Sequence, residues 1–100
     1  MDTLSDTLAA VMAGYAGHDL NGDSFLTRSE DRKVLTILSV GNLHGQHFAV
    51  TSLVARLVDE HIVIEHDLND RPLVDALVAA GMPRGKIVLA YAGESGSYAA

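Results

Sequence analysis

The stretch from Asn69 to Tyr91 constrains the fold more than any other part of the chain, because it specifies a helix, its stop and a short buried strand in succession. Asn69 can serve as N-cap, its side-chain carbonyl accepting from a backbone N–H of the first turn. Asp70 then sits at the positive end of the helix dipole. Pro72 falls within the first turn, where no intrahelical N–H is required, so it starts the helix rather than breaking it. Leu73, Ala76, Leu77 and Ala80 recur at helical spacing, and Val74 and Val78 widen the apolar stripe. Gly81 follows the last turn as a terminating glycine, with Met82 placed to fold back and Pro83 preventing continuation. The apolar run from Lys86 to Tyr91 is too short for a further helix and reads as a strand buried beneath the one just ended.

Upstream, residues 3 to 17 place Leu4, Leu8, Val11, Met12 and Tyr15 on one helical face, with Asp2 or Thr3 available as cap and Gly14 and Gly17 weakening the end. Polar residues 18 to 24, containing Asn21-Gly22, mark a turn. Phe25 to Arg28 and Val34 to Val40 read as strands joined by the charged turn Ser29 to Lys33, the second being rich in β-branched residues. The turn Gly41 to Gly45 leads to Phe48 to Val58. The acidic Asp59-Glu60 then closes a hairpin with His61 to Glu65. The expected fold is α+β in two layers: an N-terminal helix, a four-stranded antiparallel β-meander, a C-terminal helix and a short strand. Residues 1–92 form the single domain, and residues 93–100, small and polar, are expected to be a mobile tail.

Composition narrows the function. A hundred residues suffice for one self-standing core. With no cysteine there is neither a disulfide framework nor a thiolate site. No run approaches the ~18 apolar residues of a membrane span and no leader pattern opens the chain, so a cytoplasmic protein is expected. Thirteen acidic against seven basic side chains give a net charge of −6. The nearest thing to a basic cluster, Arg28 with Arg32-Lys33, is diluted by Glu30 and Asp31. Direct nucleic-acid binding is therefore not expected, whereas an acidic surface suits contact with a basic protein face.

One motif points elsewhere. Residues 19 to 30 match the calcium loop of an EF-hand at most ligand positions, with Asp19, Asn21 and Asp23 supplying oxygens at the first, third and fifth places, Phe25 a carbonyl, Thr27 a side-chain or water contact and Glu30 the closing bidentate carboxylate. Against it, Ser24 holds the place where the sharp turn wants glycine, and the exiting segment Val34 to Val40 is strand-like. Calcium ligation by Asp19, Asn21, Asp23 and Glu30 is the lesser alternative; otherwise no metal or cofactor is expected. His44 and His47 flank a turn, while in a regular strand His61 and Glu65 share one face and His66 takes the other, so neither group converges on an ion without a bulge. Ser39, Thr51 and Ser52 lie in no motif that supplies a base, and Asp67 and Asp70 suffice as caps. The chain reads as a non-enzyme.

Val40-Gly41, Asp59, Ile62, Ile64, Asp67, the run Leu77-Val-Ala-Ala-Gly81, Pro83-Arg84 and Ile87-Val-Leu-Ala-Tyr91 together resemble the XisI family, small proteins named as controlling factors for DNA element excision in cyanobacteria. The resemblance spans residues 5 to 92 by element order and is tightest over 77 to 91. It departs at Asn42 and Val63, where the family usually carries Trp, at Val54 and Arg56 in place of His and Asp, and at Asn69-Asp70 in place of Thr-Glu. Scaffold positions match better than polar and aromatic ones. What the resemblance implies is an accessory protein that binds or restrains a nuclease-like partner named XisH. A small meander leaves one strand edge and one sheet face open for such a contact, and self-association is an alternative use of the same edge.

Overall fold

Alternating apolar residues over 34–38 and 53–57 give each of those strands one buried face, and the chain uses that period of two to build a single sheet. In the computed structural model, which describes residues 3–95, helix α1 (Thr3–Met12) is followed by a 3-10 turn and by strands β1 (Gly17–Asp19), β2 (Gly22–Arg28), β3 (Val34–Leu43), β4 (Gln46–Val58) and β5 (His61–Asp67). Helix α2 (Leu73–Ala79) and strand β6 (Ile87–Leu89) complete the domain. The six strands lie in sequence order, antiparallel from β1 to β5, with β6 parallel to β5. The fold is therefore α+β, with a mixed sheet in place of the expected four-stranded meander.

Two features of the sheet differ from expectation. Gly17, read as weakening the end of the first helix, and His18-Asp19, read as turn, pair with Ser24-Asp23-Gly22 as an added edge strand. Its composition is polar because none of its residues is buried. Strand β6 returns parallel because α2 carries the chain back across the sheet, as a crossover helix must between parallel neighbours.

Two of the tight turns are built from residues in the left-handed region. His44 and Gly45 (φ 54° and 76°) join β3 to β4, and Asp59 and Glu60 (φ 48° and 62°) join β4 to β5. Positive φ at both central residues matches the right-handed strand twist. Two bulges follow: Ser52 is the extra residue opposite Ile37 and Leu38, and Glu65 the extra residue opposite Val54 and Ala55.

Both helices pack on one face of the sheet. Leu8 and Met12 of α1 and Leu73 and Leu77 of α2 meet Leu35, Ile37, Leu53, Ala55, Ile62, Ile64 and Ile87, all buried. The start of α2 is shifted from the expected one. Pro72 itself occupies the N-cap position with no side-chain cap, and Leu73 N–H donates instead to Asp67 Oδ2 at 2.7 Å. Asn69, expected as the cap, donates its own N–H and Nδ2–H to Asp67 Oδ1, both at 2.9 Å. The stop is as read: Gly81 has φ 99°, its N–H donates to Val78, and Met82 N–H reaches back to Leu77. At the other end α1 is tied to the β2–β3 turn by Arg28 and Arg32, both bonded to Asp6, and by Ser5 Oγ donating to the Arg32 carbonyl. Asp2, an alternative cap for α1, lies outside the described residues.

Candidate functional site

With both helices on one side, cross-strand register assigns the other side of the sheet residue by residue. Asp23, Val40 and Ala49 form one row, and Phe25, Leu38 and Thr51 the next. Thr27, Thr36, Val54 and His66 follow, then Val34, Arg56, Val63 and Val88. Helices α1 and α2 both pack on the opposite side. Val63 and Val88 are nevertheless buried, apart from the main core cluster. The accessible apolar part therefore lies over β2 to β4, where Phe25 is 49% exposed, Val34 and Thr51 are exposed, and Leu38, Val40 and Val54 are half-buried.

Two polar pairs are bonded across the strands here. The hydroxyls of Thr27 and Thr36 are hydrogen-bonded across the strands. Arg56 Nε donates to Glu65 Oε2 at 2.6 Å, joining β4 to β5 beside Val63. The bulge at Glu65 makes that bridge possible. It also carries His66 onto the face of His61, since His66 pairs with Val54, correcting the expectation that it takes the opposite side. Even so, Glu65 is committed to Arg56, Asp67 to α2, and His61 Nδ1 to the Asp59 carbonyl.

The calcium-loop residues are distributed along a hairpin. Asp19 Oδ1 accepts from Asn21 N–H at 2.8 Å and Gly22 N–H at 3.0 Å, which is the geometry of an Asx turn. Asp23 is bonded to His18 Nδ1, and that hydrogen bond is the main cause of the raised His18 pKa. Asp19, Asn21 and Asp23 share a shallow hollow of about 250 Å³ with Ser24, Ser39, Val40, Leu43 and Phe48. Glu30 does not join them. The extended run from Asp23 to Arg28 rises ~3.3 Å per residue and leaves Glu30 at the far end of β2. Among the described residues, no three His, Asp or Glu side chains gather to hold a metal ion.

The hydroxyls Ser24, Ser39 and Ser52 form a chain on the helix side, with Ser24 to Ser39 at 2.8 Å and Ser39 to Ser52 at 3.4 Å. They bond to one another and to the Ile37 carbonyl, with no base in the chain. Arg28 and Arg32, of the nearest thing to a basic cluster, are both bridged to Asp6. No helix among the described residues is long and apolar enough to cross a membrane.

The profile of the XisI protein family matches residues 3–97. The chain belongs to the XisI family. Among solved structures it is similar to a XisI-like protein from Anabaena variabilis ATCC 29413, with a TM-score of 0.74 at 22% identity over 87% of this chain and 83% of that one. It is also similar to the fdxN element excision controlling factor XisI from the same organism, with a TM-score of 0.65 at 20% identity over 87% of this chain and 88% of the other. At such identities the likeness establishes a shared fold. No curated protein sequence matches the chain. Within the XisI fold, the Gly-x-Pro-Arg stop has a structural meaning here: Gly81 closes α2 and Arg84 bonds to β6.

Proposed function

We propose that this XisI-family chain is a non-enzymatic accessory protein in the control of DNA element excision, acting by contact with a XisH-like, nuclease-fold protein through the open face of its sheet. The observation that carries this reading is the apolar area over β2 to β4, centred on Phe25, Leu38 and Thr51, which the two helices leave uncovered. Accessible apolar side chains grouped on one open face mark an interaction site more often than scattered ones do. The charges around it suit a protein partner. A net charge of −6 repels a phosphate backbone and attracts a basic protein surface.

Co-expression with the XisH-like protein of the same source tests the proposal. A stable complex is expected from the wild type, with affinity at least ~10-fold weaker for Phe25→Asp/Thr51→Arg, since both positions are exposed and their replacement should leave the fold intact. Absence of a complex, or a complex indifferent to these substitutions, would overturn it.

A further inference from the structure

Strand β6 is an edge, yet the backbone groups it turns outward are already taken. Ile87 N–H donates to the Arg84 carbonyl, and Ile87 C=O accepts from Arg84 Nη1 at 2.8 Å. Leu89 N–H donates to Glu94 Oε1 at 2.9 Å, and Leu89 C=O accepts from Glu94 N–H at 3.1 Å. Arg84 Nη2 and Glu94 Oε2 then meet at 3.0 Å. Two residues, one before the strand and one after it, thus stand in for a seventh strand. Gly93, in the left-handed region at φ 86°, turns the chain back so that Glu94 lies beside Leu89. Glu94, expected to belong to a mobile tail, is part of the fold.

Uncovered, this edge would be self-complementary. With a two-fold axis through Val88, Leu89 N–H of one copy meets Ile87 C=O of the other, and the converse bond forms by symmetry. Those are the same two groups that the Arg84 and Glu94 side chains now occupy. We propose that the Arg84–Glu94 clamp closes β6 against a second copy of this chain, and that its removal lets two sheets join edge to edge through antiparallel β6–β6 pairing. Exposed edges are the usual route to such association, and natural sheets carry devices that block it.

The double variant Arg84→Ala/Glu94→Ala tests this cleanly, because it removes one charge of each sign and leaves the net charge unchanged. Sedimentation velocity over roughly 10 to 500 μM, a range set for weak pairing through two backbone bonds, is expected to show its mean mass rising towards twice that of the wild type. The wild type should show no such rise. A second readout locates the contact. The chain has no cysteine, so Val88→Cys in the double variant should cross-link under mild oxidation, the Cα separation of ~4.5 Å in such a pair being within disulfide reach. The clamped Val88→Cys protein should not. A folded double variant with wild-type mass at every concentration, or association without cross-linking at position 88, would overturn the proposal. If the double variant does not fold, Arg84→Met/Glu94→Met, which keeps the unbranched stems but has no group to bond Ile87 C=O or Leu89 N–H, takes the same two readouts.

Discussion

Gly22 on β2 and Gly41 on β3 are cross-strand partners so close that a Cβ on either would lie 2.0 Å from a carbonyl oxygen opposite, Val40 O for Gly22 and Asn21 O for Gly41. The obstacle is backbone, so no rotamer change relieves it. Asn21 O also accepts from Asn42 N–H at 2.9 Å, and a methyl at position 41 would disturb that bond. Gly41→Ala and Gly22→Ala should each destabilise the protein by about 1–3 kcal/mol, the usual cost of overpacking. Urea denaturation checks this, with Gly14→Ala, where nothing lies within 4 Å of the new methyl, expected to be near neutral.

Asp67 acts as the cap of α2 from outside the helix, through Leu73 N–H and the two Asn69 donors. Asp67→Ala should cost about 1–2 kcal/mol, as the loss of a charged cap does, whereas Asn69→Ala should cost less because Asn69 serves only as a donor to Asp67. Thermal unfolding of the two variants side by side gives the order.

Leu77 joins α2 to the sheet and is fully buried. Leu77→Ala should lose about 2–5 kcal/mol by transfer and cavity terms. Val78→Ala, one residue on but exposed, should stay within about 0.5 kcal/mol in equilibrium denaturation.

The hydrogen bond from Leu89 N–H, and after it the Arg84 guanidinium, hold the Glu94 carboxyl below its ordinary range. A depressed folded pKa stabilises above the unfolded value, and the contribution is lost as pH falls through the folded one. The stability advantage of wild type over Glu94→Gln should therefore be complete at neutral pH and shrink below the ordinary carboxylate range. Urea midpoints for both proteins at neutral and acid pH measure it; a difference independent of pH would contradict it.

Much of the scaffold is legible in the sequence because strong local signals coincide with burial. The stripe Leu73, Ala76 and Leu77 and the stop at Gly81 are buried or bonded as their spacing requires. The hairpin at Asp59-Glu60 likewise follows from acidic residues between two apolar runs. What escapes is long-range. Nothing local in Gly17-His18-Asp19 marks a strand, since its pairing depends on β2. Glu94 looks like tail until Leu89 is placed beside it. The bulge at Glu65, which joins it to Arg56, is a matter of register between β4 and β5 that periodicity within either strand does not encode.

Methyl-resolved NMR of Leu- and Val-labelled chain, titrated with the XisH-like protein, tests most directly whether the uncovered side of the sheet is the working surface. The predicted result is shift changes at Leu38, Val40, Val34 and Val54, with Leu8, Leu73 and Leu77 on the buried faces of the helices unmoved. Changes confined to the helix side, or none at saturating partner, would contradict it.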